Sequence, residues 1–503
     1  MPGIRIDIGQ TRYYPFRDLA VHLTGYVATI SQSEKTGDPV LELPGFKIGK
    51  SGIEKSFDSK MRGRGAQRQV EVNALGRIIR KLPGEEIQMG HDIELTIDAS
   101  LQSFSTKRLA QGNSMYIPVD DPRIQRALSE GRNLPPGTDP VNGYVNVDYK
   151  GNVQAPESGA AVVMDAFNGD VLALASTPGF DPNSFSSGLN AADWENLLSN
   201  PRSPMTNKAV SGQYSPGSTF KMIVCLAALE AGVAHQETKV NCSGMIEFGD
   251  SRFHCWKKDG HGWLNMIDAI EQSCDVYLYE LAKRVGIKRI GEMAARFGFG
   301  EAFNFGLPGE NRGLIPTPAW KRKTFGQAWH AGETLITSIG QGFILCTPLQ
   351  LAVMTSRLVN GGRPVLPRLM KNERAEIQKR KSLQLSPQHL HTVLKGMDKV
   401  VNGSQGTARK VVDQSMKFQF GGKSGSVQVK RISLDERESG KLKNKDRPWH
   451  ERDHAMFVAF APLKSPRYVV SVVVEHGGGG STMAAPIARD ILAEALRLNP
   501  SKL

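Results

Sequence analysis

The apolar pattern is clearest from residue 158 onward. Gly159-Ala160-Ala161-Val162-Val163-Met164-Asp165 is a near-continuous apolar run, which predicts a buried strand. Asn168-Gly169 marks a hairpin turn, and Asp170 to Ser176 reads as the return strand. Phe220, Met222, Ile223, Val224, Leu226, Ala227 and Leu229 predict a buried helix that ends near Gly232. Residues 265–286 predict a helical stretch holding Ser273. Three further strands are predicted at Lys423–Val429, His454–Ala461 and Tyr468–Glu475, with a closing helix at Ala484–Arg497. Two strands early and three late, with helices between, predict an α/β (α+β) domain. Its core is one five-stranded antiparallel sheet built from both ends of the domain and covered by helices on both faces.

Residues 1–97 differ. Short strand-like runs alternate with polar loops, from Tyr13-Tyr14-Pro15 through Gly25-Tyr26-Val27-Ala28 to His91–Asp98, and they carry no catalytic cluster. This part reads as a mixed, β-rich pedestal or partner-binding module. A helix is predicted over Leu101–Ala110. Residues 111–156 are rich in Asn, Pro, Gly and Asp and read as a mobile insertion. The resulting division is 1–97 and 98–503.

At 503 residues the chain is long enough for two or three domains. Its net charge of +13 suits an anionic membrane surface or a phosphate-bearing substrate. No aromatic-and-basic nucleic-acid motif is present, so no nucleic-acid partner is expected. No run approaches the roughly 20 apolar residues of a spanning helix, and no signal peptide opens the chain. The expectation is either a cytosolic protein or a fragment lacking its membrane segment.

The candidate chemistry centres on Tyr214-Ser215-Pro216-Gly217-Ser218-Thr219-Phe220-Lys221. Pro216 and Gly217 break the chain, which places Ser218 at or beside a helix N-terminus. Lys221 lies on the same face three residues later. A serine hydroxyl is a poor nucleophile until a base takes its proton, and a nearby lysine of lowered pKa can do so. Alone the signal is weak, because a capping serine beside a solvated lysine has the same spacing. Two companions strengthen it. Ser273-Cys274-Asp275 supplies a hydroxyl and a carboxylate able to relay a proton. Of three Lys-[Ser/Thr]-Gly triplets, Lys35-Thr36-Gly37 and Lys50-Ser51-Gly52 lie in loops before the nucleophile. Only Lys423-Ser424-Gly425 opens a strand, continuing into Ser426. An exposed strand edge can pair with a peptide, Lys423 and Ser424 can hold a terminal carboxylate, and Gly425 permits close approach. The N–H groups of Ser218 and Ser426 are the natural oxyanion hole. Ser56-Phe57-Asp58 resembles the second motif but sits in the pedestal.

The order Ser218-x-x-Lys221, Ser273-x-Asp275, Lys423-Ser424-Gly425 resembles that of the penicillin-binding proteins. Tyr13-Tyr14-Pro15, Gly49-x-x-Gly52-Ile53-Glu54 and Leu95-Thr96-Ile97-Asp98 resemble the non-catalytic half of the class B enzymes. Asp181-Pro182-Asn183, Gly340-Gln341-Gly342 and Thr347-Pro348 resemble their catalytic half. Trp256-Lys257-Lys258-x-Gly260-His261-Gly262, with aspartate in the second motif, is similar to the elongation branch. Ser424 and Ser426 replace the threonines common in the family. The resemblance implies a penicillin-binding transpeptidase fold and a peptidoglycan D,D-transpeptidase that acts on stem peptides through a Ser218 acyl-enzyme and is inhibited by β-lactams. It also implies a site on the periplasmic face of the inner membrane, with a RodA-like glycan polymerase and an MreC-like scaffold as partners. A β-lactamase or β-lactam sensor would share the three motifs, and a non-catalytic scaffold is a third reading.

Of five cysteines, three are spaced with a histidine as Cys242-x12-Cys255-x5-His261-x12-Cys274. Three thiolates and an imidazole make a closed structural Zn2+ site, here tied to the second catalytic motif through Cys274. A Cys242–Cys255 disulfide, or exchange of one ligand for His254, Asp250 or Asp259, are the alternatives. Cys225 and Cys346 lie in apolar runs and read as core.

Overall fold

The computed structural model describes residues 11–35, 38, 40–43, 45–64, 70–82, 88–118, 120–129, 144–147, 153–372, 381–413, 416–430 and 444–502. The catalytic half is built on five strands: β1 (Gly159–Asp165), β2 (Val171–Thr177), β3 (Gly421–Val427), β4 (His454–Ala461) and β5 (Tyr468–Val474). Their order across the sheet is β3-β4-β5-β1-β2, and every neighbouring pair is antiparallel. The two early strands and the three late ones therefore form one sheet. β1 and β5 pair directly, Ser471 opposite Val162.

The sequence pattern explains the layering. β1, β2 and β5 are buried at every position, as sheets covered on both faces require. Helix α1 (Ala99–Gln111) packs on β2 and on α7 (Ala485–Leu498), and α7 also packs on β4 and β5. Helix α5 (Pro348–Val359) packs on β1 and β5, and α6 (Pro387–Asn402) packs on β3. Helix α2 (Lys221–Glu230) is buried at all but its last residue, and its core-facing neighbours include α4 (Asp275–Val285).

The two edges of the sheet are treated differently. At β2, the Gln102 side chain accepts from Leu174 N at 2.7 Å and donates to Leu174 O at 3.1 Å, imitating a missing strand. Asp98 N and Thr96 Oγ1 take the carbonyls of Leu172 and Val171. That edge is closed to further pairing. At β3, among the described residues, the ladder is made on one side only, to β4.

Two expectations change in detail. The helical stretch at 265–286 is two helices, α3 (Met266–Glu271) and α4, broken at Ser273, whose φ is +54°. Few non-glycine residues adopt that conformation, and here it turns the Ser273 carbonyl and hydroxyl out of the helix. Within 49–55 the chain turns from the strand Lys47–Gly49 into the helix Gly52–Ser56. Residues 91–98 form no ladder; Leu95 makes only an isolated bridge to Met370. Among the described residues the other pedestal ladders are Val27–Thr29 with Lys47–Gly49 and Val70–Val72 with Ile78–Lys81, and Arg64 makes an isolated bridge to Gln88. In the insertion, Met115–Pro118, Tyr144–Val147 and Val153–Gln154 make a three-stranded sheet. Ile124, Val145 and Val147 are buried together there as a small separate core.

Candidate active site

Ser218 lies in the 3-10 turn Gly217–Phe220, which runs directly into α2. Two contacts fix the turn. Gly217 N donates to Gly340 O at 2.8 Å, and Thr219 Oγ1 donates to Pro216 O at 2.6 Å. Gly340 has φ +70°, and a Cβ there would stand 2.0 Å from Gly217 O. Only glycine allows the backbones to come this close. Ser218 itself is partly exposed, whereas Lys221 is fully buried.

The break at Ser273 delivers that residue to two lysines. Lys221 Nζ donates to Ser273 O at 2.8 Å and Ser273 Oγ at 3.2 Å, and pairs with Asp275 Oδ1 at 2.7 Å. Lys423 Nζ donates to the same Ser273 Oγ at 2.9 Å and to Ser424 O at 3.0 Å. One hydroxyl is therefore shared by the amino groups of two buried lysines. Burial, and then the charge of Lys221, push Lys423 well below the ordinary lysine range, against the pull of Asp275.

The open strand lies against the nucleophile turn. A Cβ on Gly425 would sit 3.3 Å from Pro216 O, and one on Gly217 would sit 3.8 Å from Gly425 Cα. Ser424 is buried, with its hydroxyl 3.0 Å from Thr407 Oγ1. Ser426 is exposed, and its hydroxyl accepts from Gly480 N at 3.1 Å. The other motif copies have local roles: Lys50 pairs with Glu34, and Asp58 pairs with Arg62 and accepts from Gly49 N. The charged run 430–453 between β3 and β4 reads from its sequence as a mobile lid; its residues 431–443 lie outside the described residues, and Trp449 packs on His476.

Cys242, Cys255, His261 and Cys274 converge beside this centre, their ligand atoms all within 4.8 Å of one another. His261 Nδ1 is 3.5 Å from Cys242 Sγ and 3.6 Å from Cys255 Sγ. In a tetrahedral zinc site with Zn–S near 2.3 Å and Zn–N near 2.0 Å, the S···N edge is about 3.5 Å, so the donors fit. All five cysteines are free, so the Cys242–Cys255 disulfide is not formed, and Cys225 and Cys346 are buried as expected. His254, Asp250 and Asp259 are outside the cluster. Hydrogen bonding to Cys274 draws Cys242 down to about 6 and Cys255 below the thiol range, while Cys274 is pushed up. Three close thiols cannot all ionise without a compensating cation. The cluster reaches the catalytic residues by hydrogen bonds. Asp275 N donates to Cys255 Sγ at 3.4 Å, Trp256 N donates to Asp275 Oδ2 at 3.0 Å, and Trp256 Nε1 donates to Ser273 O at 3.1 Å.

The structure thus brings together all eight predicted catalytic and substrate-binding residues and all four predicted ligands. Sequence reasoning missed Thr407, which reaches Ser424 by its side chain, and Glu271, which lies just before Ser273 and meets the 405–407 segment across a long stretch of sequence. No local motif marks either residue.

Comparison with known proteins identifies the family. Residues 159–493 match the penicillin binding protein transpeptidase domain, and residues 1–95 match the penicillin-binding protein dimerisation domain. Peptidoglycan D,D-transpeptidase MrdA of Acinetobacter baumannii is 33% identical over 97% of this chain, which spans 66% of that protein's length. Penicillin-binding protein 2 of Pseudomonas aeruginosa, solved with WCK 5153, superposes with a TM-score of 0.75 at 32% identity, covering 97% of this chain and 92% of that one. Penicillin-binding protein 2 of Helicobacter pylori, solved in complex with MreC, gives 0.78 at 30% identity, covering 97% and 79%. With its three motifs gathered at one sheet edge, the chain belongs to the class B penicillin-binding proteins, in the penicillin-binding protein 2 (MrdA) branch.

Proposed function

We propose that this protein is a peptidoglycan D,D-transpeptidase of cell elongation that works through a Ser218 acyl-enzyme. The observation that carries the reading is the Ser273 hydroxyl, held by both Lys221 and Lys423 between the nucleophile turn and the open edge of β3. A stem peptide adds to β3 as a further strand, with its terminal carboxylate on Ser424 at the Lys423 end. Lys221 takes the Ser218 proton, and Ser218 Oγ attacks the carbonyl of the penultimate D-Ala. The N–H groups of Ser218 and Ser426 receive the oxyanion. The proton passes through Ser273 to the departing D-Ala amine. The amine of a second stem peptide then attacks the ester, gives its proton back along the same route, and restores Ser218.

A zinc ion at Cys242, Cys255, His261 and Cys274 is part of this proposal. It would supply charge compensation and a rigid wall, with no open position for water. Cys255 then fixes the Asp275 backbone, and Trp256 fixes the Asp275 carboxylate and the Ser273 carbonyl. The division into a pedestal at 1–97 and a transpeptidase domain at 98–503 belongs to the same reading. So do an MreC-like scaffold, a RodA-like polymerase and β-lactams as ligands. They are supported by the resemblance and by the H. pylori relative solved with MreC. The site of action is the periplasmic face of the inner membrane; no described helix is long and apolar enough to cross a membrane.

The test is mass spectrometry of the protein after exposure to a penicillin. One adduct on Ser218, absent in Ser218→Ala and persisting for many minutes, is the expected result. Turnover within seconds would mean a β-lactamase, and no adduct at all would mean a non-catalytic scaffold.

A further inference from the structure

The hydroxyl of Ser424 does not stand alone. Thr407 Oγ1 lies 3.0 Å from Ser424 Oγ, and either oxygen can donate to the other. Thr407 is half-buried and belongs to none of the three motifs. Two hydroxyls carry two protons, and their mutual bond uses one. Whichever way the pair is polarised, one O–H remains to be donated elsewhere. The Ser424 carbonyl is already held by Lys423 Nζ at 3.0 Å, so the first turn of the binding strand is fixed at its backbone as well as its side chain.

The segment that presents Thr407 is tied to the second catalytic motif. Glu271, the last residue of α3, is buried and lies two residues before Ser273. Its Oε1 accepts from Gln405 N at 3.0 Å, and its carbonyl accepts from Thr407 N at 3.3 Å. Its other carboxylate oxygen lies 3.6 Å from Lys399 Nζ. Gly403 is pressed on the same carboxylate, since a Cβ there would fall 2.3 Å from Glu271 Oε1. Ala408 N closes the segment on Val400 O at 2.9 Å. Glu271 therefore ties the Thr407 segment to Ser273, its carboxylate through Gln405 N and its carbonyl through Thr407 N, while Thr407 sets the hydroxyl of Ser424.

We propose that Thr407 is a further positioning residue of the acyl-donor site. With Ser424 it forms a two-hydroxyl receptor for the free terminal carboxylate of the donor peptide, and Glu271 holds that receptor in register with Ser273. The proposal rests on the transpeptidase reading and on the carboxylate lying at Ser424. Hydrogen bonds to an ionised carboxylate are the strong kind, and their strength depends on a pre-set donor direction. A lone Ser424 hydroxyl would rotate among several partners; the Thr407 oxygen leaves it one arrangement.

The experiment compares acylation of Ser218 by a carboxylate-bearing penicillin and by the methyl ester of the same compound, in wild type, Thr407→Val and Thr407→Ser. Valine keeps the shape and removes the hydroxyl; serine keeps the hydroxyl. The expected result is a fall of about tenfold in the acylation rate of Thr407→Val with the free acid, and a change of less than about twofold with the ester. Thr407→Ser should return to near the wild-type preference. Equal losses with acid and ester would make Thr407 a structural residue only and overturn the proposal, as would no loss with either. Wild type that is acylated but does not distinguish acid from ester would overturn the placement of the carboxylate. Wild type that is not acylated by either would overturn the transpeptidase reading itself and the proposal with it. Circular dichroism melting of each variant identifies a loss that comes from unfolding.

Discussion

Lys221 Nζ and Asp275 Oδ1 meet at 2.7 Å, with the lysine fully buried and the aspartate side chain 12% exposed. Asp275 also faces Lys423 electrostatically, so one carboxylate serves two buried lysines. Removing one partner of a buried pair leaves an uncompensated charge, at a typical cost of about 3–5 kcal/mol. Asp275→Asn is therefore expected to lower stability by about that amount and to slow Ser218 acylation. Denaturant unfolding read beside penicillin acylation checks both. A variant as stable as wild type would mean that the two lysines do not depend on this carboxylate.

Gly340→Ala addresses the nucleophile turn without touching a catalytic side chain. The new Cβ would meet backbone at 2.0 Å, at a φ of +70°. Backbone has no flexible end to move aside, so the turn itself must shift. Overpacking of this kind costs about 1–3 kcal/mol, and the left-handed conformation adds to it. Acylation should fall by more than the loss of folded protein explains, because Ser218 is the next residue in that turn. Normal acylation by the folded fraction would show that the close approach is not what positions Ser218.

The metal proposal predicts about one zinc per chain in purified, untagged protein, lost in Cys255→Ser. Removing the ion by chelation should slow acylation, because Cys255 accepts the Asp275 N–H and Trp256 binds the Asp275 carboxylate. Elemental analysis, thiol counting and acylation kinetics are the three readouts. Metal-free protein with three reactive thiols and full acylation would return these residues to packing.

His454 begins β4 opposite Val427, the last residue of the substrate strand, and its ring stands edge-on to Tyr214. Burial, and then the neighbouring His476, lower its pKa from about 6.5 to about 4. Its Nδ1 accepts from His476 N at 3.0 Å, which requires an unprotonated nitrogen there. Between pH 6.5 and 4 the unfolded chain binds a proton that the folded chain refuses. This contribution to stability is therefore complete above pH 6.5 and is lost as the pH falls toward 4. His454→Asn keeps an acceptor oxygen near Nδ1 but has no proton to bind. Its melting-temperature deficit relative to wild type should shrink between pH 7 and pH 4.5. A constant deficit would show that His454 does not titrate in this way.

The sequence by itself determined the five strands of the catalytic sheet, the three motifs and the group Cys242, Cys255, His261 and Cys274, because each leaves a local signature. Buried strands such as Val162-Val163-Met164 and Val469–Val474 exclude water on both faces, so their apolar runs are unbroken. Ser218-x-x-Lys221 and Lys423-Ser424-Gly425 are short-range patterns, legible because helix and strand periodicity fix which side chains share a face. What only the tertiary structure decided is how these pieces meet. The left-handed turn at Ser273 interrupts an otherwise helical stretch, and it is tolerated where Lys221 and Lys423 take up its hydroxyl and Lys221 its carbonyl. Gln102 closes one sheet edge and leaves β3 the open one, a difference that nothing in either strand's own sequence records. Thr407 and Glu271 enter the site through partners that lie far away in sequence. Hydrogen bonds and ion pairs act over a few ångströms regardless of separation along the chain, so they are set by the fold and not by local periodicity.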